Sequence, residues 1–242
     1  MVAVKTVDLS KKYGSFSAVD NLNLEINEGE LFSLLGINGA GKTTTVKMLS
    51  CLAKPTSGDA FIKGKSIIKN QKEIKNILGV SPQETAVAPN LTVRENLNLM
   101  CGIHGFSKNK RNEKTQELLE KFDLLKIEKK KAGKLSGGYQ RRLSIAMALI
   151  SEPEIIFLDE PTLGLDVIAR SELWDIINLL KGKVTIILTT HYMEEAEKLS
   201  DRIGIMKNGK LLTVGTTEDL INKTGADSIE NAFIRIVKGE EI

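Results

Sequence analysis

The run Leu31-Phe32-Ser33-Leu34-Leu35-Gly36-Ile37-Asn38-Gly39-Ala40-Gly41-Lys42-Thr43 decides the fold. Its first five residues read as a buried strand, and its last eight fit G-x-x-x-x-G-K-[ST]. The pattern predicts strand, glycine turn and then a helix from about 42 to 52, ended by Pro55 and Ser57-Gly58. Glycines let backbone N–H groups close around an anion, and the helix start turns its positive dipole end toward it. Lys42 is expected to reach the β- and γ-phosphates of a nucleoside triphosphate, and the Thr43 hydroxyl to take Mg²⁺. The plainer alternative is a glycine turn that binds nothing. A phosphate loop alone also fits kinases, GTPases, helicases and transport ATPases, so the rest of the chain must choose.

Composition excludes several classes. Lys and Arg number 34 against 31 Asp and Glu, a net charge of +3 that is too balanced to argue for nucleic-acid binding. The basic stretch Lys126 to Lys134 is broken by Ile127, Glu128, Ala132 and Gly133 and reads as a solvated helix end or loop. Cys51 and Cys101 lack metal-ligand spacing and read as reduced, partly buried thiols of a cytoplasmic protein. No stretch approaches the ~18 apolar residues of a membrane span, and Met1-Val2-Ala3-Val4-Lys5 is a strand pattern, not a signal peptide. Asn90-Leu91-Thr92 matches a glycosylation sequon by accident, since nothing else suggests secretion.

Outward from the loop, residues 2–9 and 18–26 read as strands, and Ile77 to Ser81 as a buried strand closed by Pro82. From Val93 to Leu125 the texture turns helical, with Leu97, Leu99, Met100, Leu118, Leu119, Phe122, Leu124 and Leu125 on the helical faces. Thr92 with Glu95 three residues on forms the pattern of a cap. Strand character returns at Glu154 to Leu158 and Val184 to Thr189, and Ile203 to Met206 with Lys210 to Val214 reads as a hairpin. The tail carries a helix over Ser228 to Ile236. The chain therefore reads as an α/β core interrupted by a helical insert.

Two further constellations carry chemistry. Ile155-Ile156-Phe157-Leu158-Asp159-Glu160 puts paired carboxylates at the end of an apolar strand, where open α/β sheets bind ligands. Asp159 is placed to hold Mg²⁺, and Glu160 to orient and deprotonate an attacking water; a helix-capping pair before Pro161 is the alternative. Leu135-Ser136-Gly137-Gly138 is a second glycine turn opening a second helix, hence a second anion site or, more plainly, a Ser136 cap. One chain with two half-sites for one phosphate chain suggests that two chains share the nucleotide.

With these motifs in this order, the chain resembles the nucleotide-binding subunits of ATP-binding cassette (ABC) transporters, from about residue 2 to 240. Gly36 to Thr44 resembles the Walker A loop, with Gly36, Asn38, Gly39, Ala40, Gly41, Lys42, Thr43 and Thr44 implied as nucleotide contacts. Ser136, Gly137 and Gly138 match the signature loop, Ile155 to Glu160 Walker B, and Leu163-Gly164-Leu165-Asp166 the D-loop. The resemblance implies that Tyr13 stacks on adenine and that Gln83 touches Mg²⁺ and the water while sensing a transmembrane partner. His191 matches the switch histidine, and Asp166 joins the nucleotide site through the D-loop. Tyr139 departs from the usual Gln after Leu-Ser-Gly-Gly and is expected to alter the ribose side of the contact.

The resemblance implies a P-loop NTPase (RecA-like) core with an antiparallel β subdomain and an inserted helical subdomain. Its boundaries are 1–82 and 153–225 for the core, 83–152 for the helical part and 226–242 for the tail. The catalytic set is Glu160, His191, Gln83 and Lys42, and the metal set is Thr43, Gln83 and Asp159. Its partners are ATP, a second copy of the chain head to tail and a separate transmembrane permease, with no nucleic acid. Its place is the inner face of the cell membrane. Thr189 to Glu197 and Ile229 to Phe233 look like exporters of the ABC-2 type, moving drugs, antibiotics, lipids or polysaccharides. A soluble ABC ATPase on ribosome or DNA, and a non-hydrolysing ATP-gated module, are the other readings.

Overall fold

The computed structural model describes residues 1–239, so the last three residues of the expected 226–242 tail lie outside the described residues. The fold is α/β. The chain forms two compact units, Met1–Lys75 with Lys181–Ile242 (described to 239) and Asn76–Leu180.

In the first unit, β1 (Val2–Tyr13) and β2 (Phe16–Asn27) form an antiparallel hairpin with Val4 opposite Ile26 and Tyr13 opposite Phe16. Both strands outrun the expected 2–9 and 18–26. Register shifts between Thr6 and Leu9, and left-handed backbone at Asp8 and Asn21, break the period-2 alternation that sequence reading depends on. β4 (Ser57–Ile62) adds to β1 and β5 (Lys65–Ser66) to β4, giving a four-stranded antiparallel sheet.

The loop belongs to a second sheet of this unit. β3 (Leu31–Leu35) runs parallel to both β8 (Thr185–Thr190) and β9 (Arg202–Lys207), while β10 (Lys210–Gly215) turns back antiparallel on β9. Every residue of β3 and β8 is buried, as a parallel strand covered on both faces requires. α1 (Lys42–Leu49) follows the loop and stops three residues before the expected end, because Cys51 takes a left-handed conformation that turns the chain. α2 (Gln71–Lys75) and α7 (Met193–Leu199) are short.

Two capped helices close this unit. α8 (Thr217–Thr224) opens on a Thr216–Asp219 capping box, and α9 (Ile229–Lys238) on Ser228, whose hydroxyl accepts from the Asn231 N–H. Ile229, Phe233 and Ile236 of α9 join Ile203 and Ile205 of β9 and Leu35, the residue just before Gly36, in one buried cluster. Burying side chains of this size stabilises by about 1.5–3 kcal/mol each. The tail helix thus braces the strand that presents the loop.

In the second unit, β6 (Leu78–Ser81) and β7 (Ile155–Asp159) pair in parallel. α3 (Val93–Ile103), α4 (Lys108–Lys121), α5 (Gly137–Ala148) and α6 (Val167–Asn178) make up its helices. Thr92 and Glu95 form the capping box expected at the start of α3. Leu97, Leu118, Leu119, Phe122 and Leu124 are buried, but Leu99 and Leu125 are exposed. Lys126 to Lys134 passes through two short 3-10 turns and is mostly exposed. Among the described residues no helix is long and apolar enough to cross a membrane.

Candidate functional site

The Gly36–Thr44 loop is fixed by contacts within the first unit. Gly36 N–H donates to Thr190 O (3.2 Å), Ala40 N–H to Ile37 O (3.1 Å) and Gly209 N–H to Ala40 O (3.0 Å). Asp20 N–H in turn donates to Gly209 O (2.9 Å), so β2 and the β9–β10 turn grip the loop from outside. Gly41 has φ +105, and a Cβ there would lie 2.4 Å from Ala18 O; at Gly36 a Cβ would lie 2.5 Å from Met206 O. These two glycines are required by packing as well as by any anion. Ile37, Asn38 and Gly39 at the loop tip are exposed.

Lys42 is buried as the first residue of α1, and its Nζ donates to Gly36 O (2.7 Å) and Ile37 O (3.3 Å). The ammonium therefore sits across the loop's concave side, where an anion gains most from it. Thr43 and Thr44 stay partly exposed, whereas Thr45 is buried with its hydroxyl on Gly41 O (3.0 Å). His191 follows Thr190, which lies opposite Leu35 in the parallel pairing, so the structure brings the histidine and the loop to the same end of neighbouring strands. Its ring centroid is 4.1 Å from that of Tyr192, and Tyr192, not His191, is the N-cap residue of α7, without a side-chain capping bond. Tyr13 is half-exposed at the end of β1, with the Lys11 ammonium 5.1 Å from its ring centroid.

The second unit carries the carboxylates. Asp159 ends β7, and Asp159 and Glu160 are both buried. Glu160 adopts φ +49, an uncommon conformation for a residue with a Cβ, of the kind that clusters at functional sites. Two turns, Leu163 N–H to Glu160 O (3.2 Å) and Leu165 N–H to Thr162 O (3.1 Å), lead on to α6. Asp166 caps α6, its Oδ1 accepting from Ala169 N–H (2.9 Å). Ser136 occupies the N-cap position of α5 without a side-chain capping bond, so its exposed hydroxyl is not used as a cap. A Cβ on Gly137 would meet Leu165 at 3.4 Å, and one on Gly138 would meet Ala169 at 3.1 Å, so the turn lies against the start of α6. Gln83 is exposed just past β6.

The sequence compares with known proteins as this geometry leads one to expect. Residues 19–163 match the family model described as ABC transporter, well over half of the chain. The chain belongs to the ABC transporter family. It is 40% identical over 240 residues to the probable multidrug ABC transporter ATP-binding protein YbhF of Escherichia coli K12, covering 97% of this chain and 41% of that protein. The cassette thus spans about two-fifths of that relative. It is 40% identical over 227 residues to the daunorubicin resistance ATP-binding protein DrrA3 of Streptomyces coeruleorubidus, covering 93% of this chain and 72% of that one. The dimeric structure of MJ0796, a bacterial ABC transporter cassette, superposes with a TM-score of 0.80 at 29% identity, covering 88% of this chain and 98% of that one.

Thr43, Gln83 and Asp159, the residues expected to take Mg²⁺, carry oxygen donors, the kind a hard cation takes. Among the described residues no group of three or more His, Cys, Asp or Glu is placed to hold a metal. Cys51 and Cys101 are both buried free thiols, and burial pushes each thiol above its usual range, away from the thiolate that binds metal.

Sequence reading passed over two residues. Thr162 Oγ1 is buried and makes no hydrogen bond, two positions after Glu160. Arg141 is buried with both terminal nitrogens on backbone carbonyls. A polar residue next to paired carboxylates was the available signal for the first; the second had none.

Proposed function

We propose that this chain is an ATP-hydrolysing subunit that powers a separate membrane permease through ATP-driven closure of a head-to-tail dimer. The carrying observation is the loop itself: buried Lys42 lies over the Gly36 and Ile37 carbonyls at the end of β3, and His191 follows the neighbouring strand. In this reading Gly36, Asn38, Gly39, Ala40, Gly41, Lys42, Thr43 and Thr44 hold the triphosphate and Tyr13 takes the adenine. Ser136, Gly137 and Gly138, with Asp166, serve the nucleotide of a second copy. The functional division is the one expected from the sequence, 1–82 with 153–225 as the ATP-binding core and 83–152 as the helical part.

Phosphoryl transfer to water asks mainly for positioning and charge neutralisation. Lys42 and the loop amides stabilise the γ-phosphate, Glu160 polarises the water, and His191 and Gln83 orient the reacting groups. Thr43, Gln83 and Asp159 would hold Mg²⁺ through oxygen atoms, and the bound ion would neutralise phosphate charge. Loss of the γ-phosphate removes the bridge between the copies, and the dimer opens. The dimeric MJ0796 structure supports the shared site, and the likeness to a probable multidrug transporter protein, YbhF, and to a daunorubicin resistance protein, DrrA3, supports export, with the chain on the inner face of the membrane.

The test is Glu160→Gln. It keeps the shape of the side chain and removes the base, so ATP turnover should fall by about a hundredfold or more. ATP binding persists and an ATP-bound dimer accumulates in size-exclusion chromatography. Turnover at the wild-type rate would sink the assignment of Glu160.

A further inference from the structure

α5 lies along β6 as a ladder with three rungs. Gly79 and Ser81 succeed one another at strand period, with Pro82 and Gln83 just beyond the strand end, and Ala148, Ser144 and Arg141 line one face of the helix. At the first rung the backbones nearly touch, since a Cβ on Gly79 would lie 2.4 Å from Ala148 O. At the second, the buried hydroxyls of Ser81 and Ser144 are 2.9 Å apart. At the third, Arg141 donates from Nη1 to Pro82 O and from Nη2 to Gln83 O, each at 2.6 Å.

The third rung differs from the others. The strand ends at Ser81, so the two carbonyls that Arg141 holds belong to the chain as it leaves the sheet. A guanidinium is planar, and its paired N–H groups fix two successive peptide planes at once. Only 5% of Arg141 is exposed, so those bonds act where water competes little. Arg141 also lies four residues after Gly137, the first residue of α5, and so one helical turn from the glycine turn.

We propose that Arg141 is a positioning residue that ties the Ser136–Gly138 turn to the backbone of Gln83. A displacement of the turn carries Gln83 with it, and the reverse. This rests on the reading in which Gln83 serves ATP hydrolysis. Lysine is a poor replacement for the arginine here, because an ammonium is a point charge on a flexible stem and lacks the planar, paired N–H groups of a guanidinium.

The test uses the full chain with Arg141→Lys, Gln83→Ala and the double variant. Arg141→Lys should lower kcat by about tenfold and leave KM for ATP within about twofold, the mark of lost positioning rather than lost binding. If Arg141 acts through Gln83, the double variant is no slower than Gln83→Ala; multiplied losses overturn the proposal. Hydrogen exchange reads the tie without catalysis. Amides of residues 83–88 should exchange faster in Arg141→Lys while those of 143–148 keep their protection. Unchanged exchange at 83–88, or equal loosening along the whole of α5, also overturns it. Arg141→Gln, which removes the charge and leaves no unpaired ammonium buried, should repeat the exchange pattern. A wild-type chain that hydrolyses no ATP would defeat the proposed activity and leave the exchange result to decide the tie.

Discussion

The loop at Gly36–Thr44 and the turn at Ser136–Gly138 are both glycine-rich openings to a helix, yet they are held by different means. Backbone grips the first: Thr190 O, Gly209 N–H and Ala18 O surround it, and two of its glycines have no room for a Cβ. Long side chains grip the second. Arg141 reaches Pro82 and Gln83, while Arg142 pairs with Glu172 and, at 3.5 Å, with Asp123. The Arg142 guanidinium also sits 5.1 Å from the centroid of the Tyr139 ring, so the residue that replaces the usual glutamine packs on a buried cation. A segment fixed by backbone depends on which residues lack side chains. A segment fixed by arginines depends on partners far away in sequence.

The largest effect that bears on this contrast is expected from Gly41→Ala beside Gly39→Ala. Both positions have positive φ, but a Cβ at Gly39 meets nothing within 4 Å, while at Gly41 it runs into Ala18 O. Gly39→Ala should cost about 1 kcal/mol from backbone strain alone. Gly41→Ala should cost about 3 kcal/mol or more and weaken ATP binding, because the backbone of β2 or the loop must move. Urea unfolding of the two variants measures the difference. Equal costs would show that backbone packing does not hold the loop, and the contrast would collapse.

That contrast also explains what was legible. Gly36, Gly41 and Lys42 announce themselves by spacing, because the constraints on them are local and few residue types meet them. The Thr92–Glu95 cap was readable for the same reason. The extent of β1 and β2 was not, since bulges near Asp8 and Asn21 break the alternation. Leu99 and Leu125 read as residues of apolar helical faces and are exposed, because helical spacing says which residues share a face and not whether that face is covered. Arg141 looked like one of many basic residues. Its role depends on Pro82 and Gln83, 59 and 58 positions away, and no local pattern encodes that distance.

A smaller effect separates scaffold from chemistry at Asp166, which caps α6 beside the second turn. Asp166→Ala should cost about 1 kcal/mol, since the Ala169 N–H loses its acceptor. Asp166→Asn keeps an acceptor and should cost only a few tenths, chiefly the lost charge at the helix start. ATP turnover measured beside unfolding then distinguishes the two uses of the residue. If Asn restores stability but not turnover, Asp166 serves the nucleotide site; if it restores both, the cap is its whole role.

The smallest expected effect compares the two units through their capping boxes. The Thr92 N–H, and then its hydroxyl, hold the Glu95 carboxyl below the usual glutamate value of 4.5, and Thr216 lowers Asp219 below 3.8 in the same way. A depressed folded value means that each carboxylate stabilises its helix fully above its unfolded value. That stability fades as pH falls through the folded value. Glu95→Gln and Asp219→Asn should therefore differ from wild type by a constant amount near neutral pH, and the difference should shrink below about pH 4 as the wild-type carboxyls protonate. Hydrogen exchange at the Glu95 and Asp219 amides, each bonded to its threonine hydroxyl, reads the two caps separately. Both carboxylates lie open to solvent, so salt should weaken both effects alike. A cap that responded to acid in one unit and not in the other would mean that something beyond its own threonine holds it.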